Sequence, residues 1–342
     1  MDPREQFLPT PSSGYVTPDA ATLVIVANGY FYLISLQDPT KSRQIRPINQ
    51  FQKFLPCANS DYFLYATYSL GFKAVFQRLS ANYDSVVIND QKPSGTADFT
   101  VSPSCDRIYY LTNGTSGELC EAPIDRRNAI TVLEPSATGF HLSKDGSELF
   151  YSVWLNGWGE LRRRELATGT VTNLTRLAYS QLSSCVAFSP DDSRIVVVSP
   201  QTADEFSADD LQTPLRSVPI VGALAPRYAK SGRLVFLSQN QHFGCWDLTG
   251  KFPPRFDPQW HATISDPVAS PDERWVVTMK PSLTGIVAYD LRSEELAATE
   301  VSTDGNSNTA ELRGQWWNDE SNIFYWVSRN GLLTCSPETD PF

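Results

Sequence analysis

Histidine is scarce in this sequence, and two of its three copies lie in polar segments where proton-transfer chemistry is possible. His242 lies in the segment QNQHF and His261 in the segment QWHATISD of the 342-residue chain. An imidazole titrates near neutral pH and can therefore act as a general acid or base. We predict His261 as a proton shuttle, with His242, Asp98 or Glu311 as its partner. The alternative is that both histidines are solvated loop residues.

A second set of side chains could bind a small substrate. Arg313 is a forked donor suited to an anionic or oxygen-rich group, and Gln315 follows it closely. Trp154 and Trp158 flank a glycine in the segment WLNGWG and could form the aromatic walls of a pocket. A hydrophobic lid over the fold is the alternative for this pair. Further polar contacts to the substrate are expected from Gln181, Lys53 and Arg227.

Motifs for cofactor and metal chemistry are absent from the sequence. It contains no GxGxxG or GxxxxGK[ST] phosphate loop, no HExxH, no GxSxG and no EF-hand spacing. One histidine pair also falls short of a three-ligand catalytic zinc site. We therefore expect no cofactor and no metal. If the chain is an enzyme, we expect a lyase, isomerase or cyclase that works by acid–base catalysis on a small, largely apolar molecule of the natural-product kind.

The elements that would position these residues follow from a repeat. A Ser-Pro-Asp turn or a looser copy of it precedes an apolar segment eight times, beginning at positions 17, 58, 102, 143, 189, 229, 270 and 318. The spacing of about 40 to 48 residues, with β-branched and aromatic segments between polar turns, is typical of propeller blades of four strands each. The repeated aspartates, such as Asp191 and Asp272, are predicted to form turns and not to bind ligands.

The fold predicted from this repeat is all-β: one propeller domain over residues 1–342 with eight four-stranded blades, or seven as the fallback. The last copy ends after its third strand, so we expect the N-terminal segment near residues 6–9 to complete that sheet and close the ring. The blades are predicted to start near residues 13, 52, 97, 138, 184, 224, 265 and 313.

The sequence pattern S-P-D-x-x-R-I/L of these turns and strands resembles the TolB-type propeller repeat, also called WD40-like or PD40. The match covers nearly the whole chain, clearly in four copies and loosely in four. The true WD40 pattern fits less well, because there is one Trp-Asp pair, at 246–247, and no periodic Gly-His. The resemblance implies a propeller fold, and such rings host binding proteins, gating domains, lyases and scaffolds, so it selects no function.

Strands alternate in direction within a blade, so the Ser-Pro-Asp turns should share one face of the ring. The loops between second and third strands, and the connections between blades, should share the opposite face, where we place the candidate site residues. His242 is expected in such a loop of the sixth blade and His261 at the start of the seventh, close to each other. The run 162–164 of three arginines is expected on a solvated outer strand.

The composition limits the kinds of binding partner that we expect. The net charge of −10 argues against nucleic acid and against an anionic membrane surface. No apolar stretch approaches the roughly 18 residues of a membrane span, and the first residues lack the apolar region of a signal peptide. The six cysteines contain no CxxC pair and are expected to be reduced. We expect a cytoplasmic monomer with a small-molecule substrate.

A protein-interaction scaffold is the alternative function. The acidic segment TADEFSADD at 202–210 is predicted to be a loop, and its carboxylates (Asp204, Glu205, Asp209 and Asp210) could steer a basic protein partner. A solvated insertion is the other interpretation of this segment. A sugar-binding or sugar-cleaving propeller is a third option, although no carboxylate pair can be placed at a defined separation from sequence.

Overall fold

The computed structural model describes strands and turns along most of the chain. The described residues are 11–16, 22–27, 30–41, 43–47, 51–56, 62–68, 72–78, 85–90, 96–112, 117–124, 129–179, 182–239, 242–258, 267–270, 272–279, 286–293, 295–296, 298–301, 315–317, 324–328 and 331–335. The expected closing segment near residues 6–9 lies outside them. The chain divides into two compact units, Met1–Asn173 and Leu174–Phe342.

The first unit contains consecutive antiparallel strands, and the last of them runs past its boundary. They form sheets in the orders β1 to β4, β5 to β8 and β9 to β15. The strands are β1 (Pro11–Val16), β2 (Thr22–Ala27), β3 (Tyr30–Ser35), β4 (Arg43–Pro47), β5 (Phe51–Pro56), β6 (Tyr62–Tyr68), β7 (Phe72–Arg78), β8 (Ser85–Asp90), β9 (Thr96–Val101), β10 (Arg107–Thr112), β11 (Gly117–Pro123), β12 (Thr131–Leu142), β13 (Glu148–Leu155), β14 (Trp158–Glu165) and β15 (Val171–Leu177).

The second unit continues the same pattern after one short helix, α1 (Leu182–Cys185). Its sheets have the orders β16 to β19, β20 to β23, β24 to β27 and β28 to β30. The strands are β16 (Val186–Phe188), β17 (Arg194–Val198), β18 (Thr202–Ser207), β19 (Arg216–Pro219), β20 (Ala223–Tyr228), β21 (Leu234–Gln239), β22 (His242–Asp247), β23 (Arg255–Phe256), β24 (Val268–Ala269), β25 (Trp275–Met279), β26 (Ile286–Asp290), β27 (Ala298–Val301), β28 (Gln315–Trp317), β29 (Phe324–Ser328) and β30 (Gly331–Cys335).

Strand β12 belongs to two groups of four strands. Its first half pairs with β11 and its second half with β13, and Ala137 pairs with both Gly117 and Val153. The outer strand of one group therefore continues directly into the inner strand of the next, where the sequence predicts a break near residue 138. This continuity makes a single seven-stranded sheet out of two groups.

Strand β10, the second of its group, is buried on both faces. In β10 every residue after Arg107 is buried, which explains its near-continuous apolar sequence RIYYLT. One core cluster joins β10 and β11 to β12 and β13 through Tyr109, Leu119, Phe140 and Tyr151, among others. Packing between neighbouring groups, and not one central core, therefore holds these strands.

The Ser-Pro-Asp segments are turns, as expected. Ser189 accepts a backbone bond from Asp192 (N···O 2.9 Å), and its hydroxyl donates to Asp191 (2.6 Å). The Ser189 hydroxyl, followed by the hydroxyl and backbone N–H of Ser193, donates to Asp191 and lowers its pKa to about 2. The fourth turn position has a positive φ in every described copy, at Cys105, Gly146, Asp192, Gly232 and Glu273. The turn aspartates are thus used within the turn.

The cysteines differ in part from the expectation that all six are reduced. Cys105 is disulfide-bonded, whereas Cys120, Cys185 and Cys245 are free and buried.

Within the described part of the chain, no helix has the length and apolar character needed to cross a membrane.

Candidate functional site

The hairpin between β13 and β14 turns within two residues. Asn156 and Gly157 have φ values of 53° and 86°, the left-handed conformations that a two-residue type I′ turn requires. Leu155 pairs with Trp158 directly across this turn. The expected loop at Trp154 and Trp158 is therefore wrong: both residues belong to strands, because Asn-Gly closes the hairpin tightly.

Exposure rises abruptly toward the tip of this hairpin. Residues 151–153 are at most 1% exposed, whereas Trp154 is 37%, Leu155 39% and Trp158 58% exposed. Successive strand residues point to opposite faces, so Trp154 and Leu155 expose apolar surface on both sides. The hairpin tip, defined here as residues 154–158, thus projects beyond the packed part of its sheet and presents three large apolar side chains.

The arginine run next to this hairpin is not on an outer strand. It lies in β14, which is paired on both edges. Arg162 forms ion pairs with Glu134 (3.2 Å) and Glu160 (2.9 Å), and Arg163 lies 3.7 Å from Glu148. The run is therefore tied to carboxylates of its own sheet.

His242 is the described member of the predicted histidine pair. It is the first residue of β22, where a loop is expected, and it is partly buried. Its Nδ1 lies 2.8 Å from the backbone carbonyl oxygen of Asp257. Since a carbonyl only accepts hydrogen bonds, this contact places the proton on Nδ1. Nε2 is then the ring nitrogen that could accept a proton.

The remaining predicted site residues are described in part. Arg227 lies within β20, not before it, and its exposed guanidinium donates to the carbonyl of Pro226 (2.8 Å). Three residues are described only as strand positions, in β5, β9 and β28: Lys53, Asp98 and Gln315. Four lie outside the described residues: Gln181, His261, Glu311 and Arg313. The predicted acid–base cluster around His261 therefore stays a prediction.

The acidic segment 202–210 is mostly strand and not a loop. Residues 202–207 form β18, and Glu205, with an exposed fraction of 0%, is fully buried. Asp204 accepts a hydrogen bond from Thr202 (2.7 Å). Asp209 and Asp210 alone are exposed. Glu205 cannot steer a basic partner, because its charge is inside the protein.

Glu205 is the centre of a polar cluster between two sheets, which we call the Glu205 junction (Arg194, Glu205, Arg216, Tyr228 and Gly232). Glu205 forms ion pairs with Arg194 (3.0 Å) and Arg216. Tyr228 of the next sheet donates its hydroxyl to Glu205 (3.1 Å), and Arg194 donates to the carbonyl of Gly232 (2.9 Å). Burial, followed by the Glu205 charge, raises the pKa of Tyr228.

A second cluster joins the following pair of sheets, and we call it the Arg255 junction (Arg255, Asp257, Tyr289, Leu291 and Ser293). Arg255 is 7% exposed and donates to the carbonyls of Leu291 (3.1 Å) and Ser293. Tyr289 donates to Asp257 (2.7 Å). Burial, followed by this hydrogen bond, raises the pKa of Tyr289.

Sequence analysis missed the basic and aromatic residues beside this second junction. The cation of Lys251 lies 5.0 Å and that of Arg255 lies 4.5 Å from the centre of the Phe252 ring. The segment KFPPRF brings two cations and two aromatic rings within six residues, and this composition is the signal that could have drawn attention to it. Its significance depends on neighbours some 40 residues away, which the segment itself does not reveal.

Among the residues that the structure describes, no three histidine, cysteine, aspartate or glutamate side chains lie together so that they could hold a metal ion.

Comparison with known proteins supports the architecture. No protein-family model and no curated protein matches this chain. Among solved structures, the β-propeller domain of Cps50 (Swd1) from Myceliophteria thermophila has a TM-score of 0.58 and 11% identity, covering 96% of this chain and 97% of that one. The Dos1 propeller has a TM-score of 0.63 and 10% identity, covering 96% and 92%.

A third similar structure is Hsv2 from Kluyveromyces lactis. Its TM-score is 0.55 at 9% identity, and the match covers 93% of this chain and 97% of that chain. Likeness at such low identity establishes the fold only. The chain has an all-β propeller fold, which confirms that part of the sequence-based prediction.

Proposed function

We propose that this chain is a β-propeller that binds another protein, and that the hairpin tip is part of its binding surface. The exposed cluster of Trp154, Leu155 and Trp158 is the observation that carries this proposal. Tryptophan at the centre of a protein interface commonly supplies a large share of the binding energy. A solvated turn would have polar side chains at these positions.

The rigidity of the hairpin supports the same conclusion. The tip is closed by the two-residue turn at Asn156 and Gly157, so the indole groups stand on paired strands and not on a long loop. A preorganised apolar surface loses little conformational entropy when it is covered. The hairpin is thus suited to contact a partner without refolding.

Catalysis is the weaker candidate among the functions considered. The fixed Nδ1 proton of His242 is compatible with a general base at the other ring nitrogen. However, the predicted proton shuttle His261, its possible partner Glu311 and the substrate ligand Arg313 are outside the described residues. An acid–base enzyme acting on a small apolar substrate remains a hypothesis, whereas the exposed hairpin gives the interaction function a described surface.

We also propose that residues 1–342 form one ring of eight blades. Seven sheets support this count, since the one that contains β12 consists of two four-strand groups. The last sheet has three described strands, which is compatible with a fourth strand from the N-terminal segment. A TolB-type origin of the repeat is supported by the shared geometry of the Ser-Pro-Asp turns.

The double variant Trp154→Ala, Trp158→Ala tests the interaction function. We expect its affinity for the protein partner to fall by at least about 100-fold, since two interface anchors cost roughly 1.4 kcal/mol or more each. Partners would be captured by crosslinking to the wild-type chain, and the dissociation constant of each purified partner would then be measured.

The matched control is Val221→Ala, because Val221 is another exposed apolar side chain at 68%. It should leave partner affinity within about twofold of wild type. Equal binding by the tryptophan double variant and the wild type, with both chains folded by circular dichroism, would exclude the hairpin tip. If no purified partner binds the wild-type chain at all, the interaction function itself is wrong.

A further inference from the structure

A polar cleft lies beside the Arg255 junction, away from the hairpin in sequence. Its volume is about 240 Å³, which is enough for a carboxylate-bearing side chain and its neighbours. Its lining includes the ring of Phe252, the cations Arg233, Lys251, Arg255 and Arg292, and the carboxylates Asp247, Asp272 and Glu273. The balance of charge in the cleft decides what it could bind.

The two cations near Phe252 form no ion pair with any carboxylate that the structure describes. Arg255 is more than nine-tenths buried, yet no described carboxylate lies within ion-pair distance of it, and its Nε has no hydrogen-bond partner. Lys251 is exposed and likewise has no described ion pair. A buried guanidinium that meets only carbonyl dipoles keeps most of its desolvation cost. Both cations lie over the same aromatic ring, so their charges also repel each other.

Two of the three carboxylates in the cleft face arginines that also line it. Asp272 accepts a hydrogen bond from Ser270 (2.6 Å) and lies 3.5 Å from Arg292. Glu273 lies 3.9 Å from Arg233, and its Oε1 is buried without a hydrogen-bond partner. Asp247 accepts hydrogen bonds from the backbone (2.8 Å) and hydroxyl (2.6 Å) of Thr249. Lys251 and Arg255 together carry two positive charges against this one carboxylate without a described arginine partner, so the formal charge left in the cleft is positive.

We propose that this cleft binds the carboxylate of an acidic segment of a protein partner. An anion beside Lys251 would offset the repulsion between the two cations and give Arg255 a counter-charge, which no described carboxylate supplies at ion-pair distance. The guanidinium is held by two backbone carbonyls and stacked on Phe252, so its charge is fixed in position at the cleft. The chain carries a net charge of −10, so the attraction must be local. This inference rests on the proposed protein-binding function and adds the chemistry of the partner.

Binding of a fluorescein-labelled glutamate-rich peptide to the full chain tests the proposal. We expect saturable binding that weakens with added salt, and at least tenfold weaker binding of the same peptide with glutamine in place of glutamate. Lys251→Glu should reduce the affinity for the glutamate peptide about tenfold, because attraction is replaced by repulsion. Lys251 is exposed, so this variant should fold normally, and a thermal melt would verify that.

The matched control is Lys144→Glu, which makes the same change of charge at another exposed lysine next to a Ser-Asp turn. It should bind the glutamate peptide within about twofold of wild type. Equal losses in the two variants would mean that only net charge matters and would overturn the proposal. Full displacement of the peptide by inorganic phosphate at equal concentration would also overturn it, since the cleft would then be a small-anion site.

The hairpin variants separate this proposal from the interaction function. Trp154→Ala with Trp158→Ala should bind the glutamate peptide as wild type does, because these residues do not line the cleft. If the wild-type chain fails to bind the peptide while partner affinity still depends on the tryptophans, the cleft proposal alone is wrong. If partner affinity depends on neither tryptophan, the hairpin tip is excluded as a binding surface, and peptide binding still decides the cleft.

Discussion

In the Glu205 junction a fully buried carboxylate meets two arginines and a tyrosine hydroxyl, whereas in the Arg255 junction the buried guanidinium meets only backbone carbonyls. Both clusters connect neighbouring sheets of the second unit at similar depth. In the first, opposite charges compensate one another within the protein. In the second, the carboxylate of Asp257 accepts a hydrogen bond from Tyr289, and no described carboxylate lies within ion-pair distance of Arg255.

The difference indicates that similar inter-sheet positions can serve different purposes. A buried ion network that satisfies itself holds two sheets in register, and removal of one member leaves charges uncompensated. A buried cation without a carboxylate is costly unless something outside the chain supplies the anion. We therefore consider the Glu205 junction structural and the Arg255 junction a structural element with binding capacity.

The largest effect is expected from Glu205→Gln. This change removes the negative charge that Arg194 and Arg216 share inside the protein, and we expect a loss of about 3 kcal/mol in the free energy of unfolding. Urea denaturation of the two proteins would measure it. Glu160→Gln is the control, because Glu160 is also paired with an arginine but is partly exposed, and it should cost less than about 1 kcal/mol. Similar losses in both variants would show that burial of Glu205 does not increase the cost of removing its charge.

The repeated local features of this molecule were predictable from sequence. The Ser-Pro-Asp turns depend on hydrogen bonds between residues two to five positions apart, such as those of Ser189 with Asp191 and Arg194. Strand β10, which follows such a turn, is apolar because both of its faces are covered. Asn156 and Gly157 also carried a strong hairpin signal, and considering them as a loop hid the projecting tip.

The two junctions were not predictable, because their partners are far apart in the chain. Glu205 occupies a buried alternate position of β18, but the segment TADEFSADD is as polar as a solvated loop. Arg194 and Arg216, which neutralise its charge, lie 11 residues before and after it in the chain. Tyr228, which donates a hydrogen bond to it, lies 23 residues away. Arg255 reaches Ser293 across 38 residues. Such contacts follow from how neighbouring sheets pack, and a single sequence does not specify this.

A smaller loss of stability, about 2 kcal/mol, is expected for Tyr289→Phe, which removes the hydroxyl that donates to buried Asp257. Tyr228→Phe at the other junction should cost about 1 kcal/mol or less, because Glu205 keeps both arginines. Urea denaturation near pH 8 would compare the two. A larger loss for Tyr228→Phe would reverse the proposed contrast.

The difference in stability between wild type and Tyr289→Phe should also depend on pH. Burial raises the pKa of Tyr289 above its ordinary value of 10, so above about pH 10 the unfolded chain loses this proton while the native chain keeps it. The native state then binds more protons, and its stability falls as the pH rises. The stability advantage of wild type over Tyr289→Phe should therefore shrink above about pH 10. A constant difference between about pH 8 and pH 11 would contradict the raised pKa.

The smallest expected difference comes from two glycines with nearly the same φ, one in the Glu205 junction and one outside it. Gly232 has a φ of 71° and Gly250 a φ of 78°, so alanine at either position pays the left-handed penalty of about 1 kcal/mol. A Cβ at Gly232 would lie 3.1 Å from the guanidinium of Arg194, whereas nothing lies within 4 Å at Gly250. Gly232→Ala should thus cost roughly 1 kcal/mol more than Gly250→Ala, because Arg194 must shift within the Glu205 junction. Thermal denaturation of the two variants measures this excess. Combining Gly232→Ala with Glu205→Gln should reduce the excess, because Arg194 would no longer be fixed by a charge. An unchanged excess would mean that the tight packing at Gly232 is independent of the buried carboxylate.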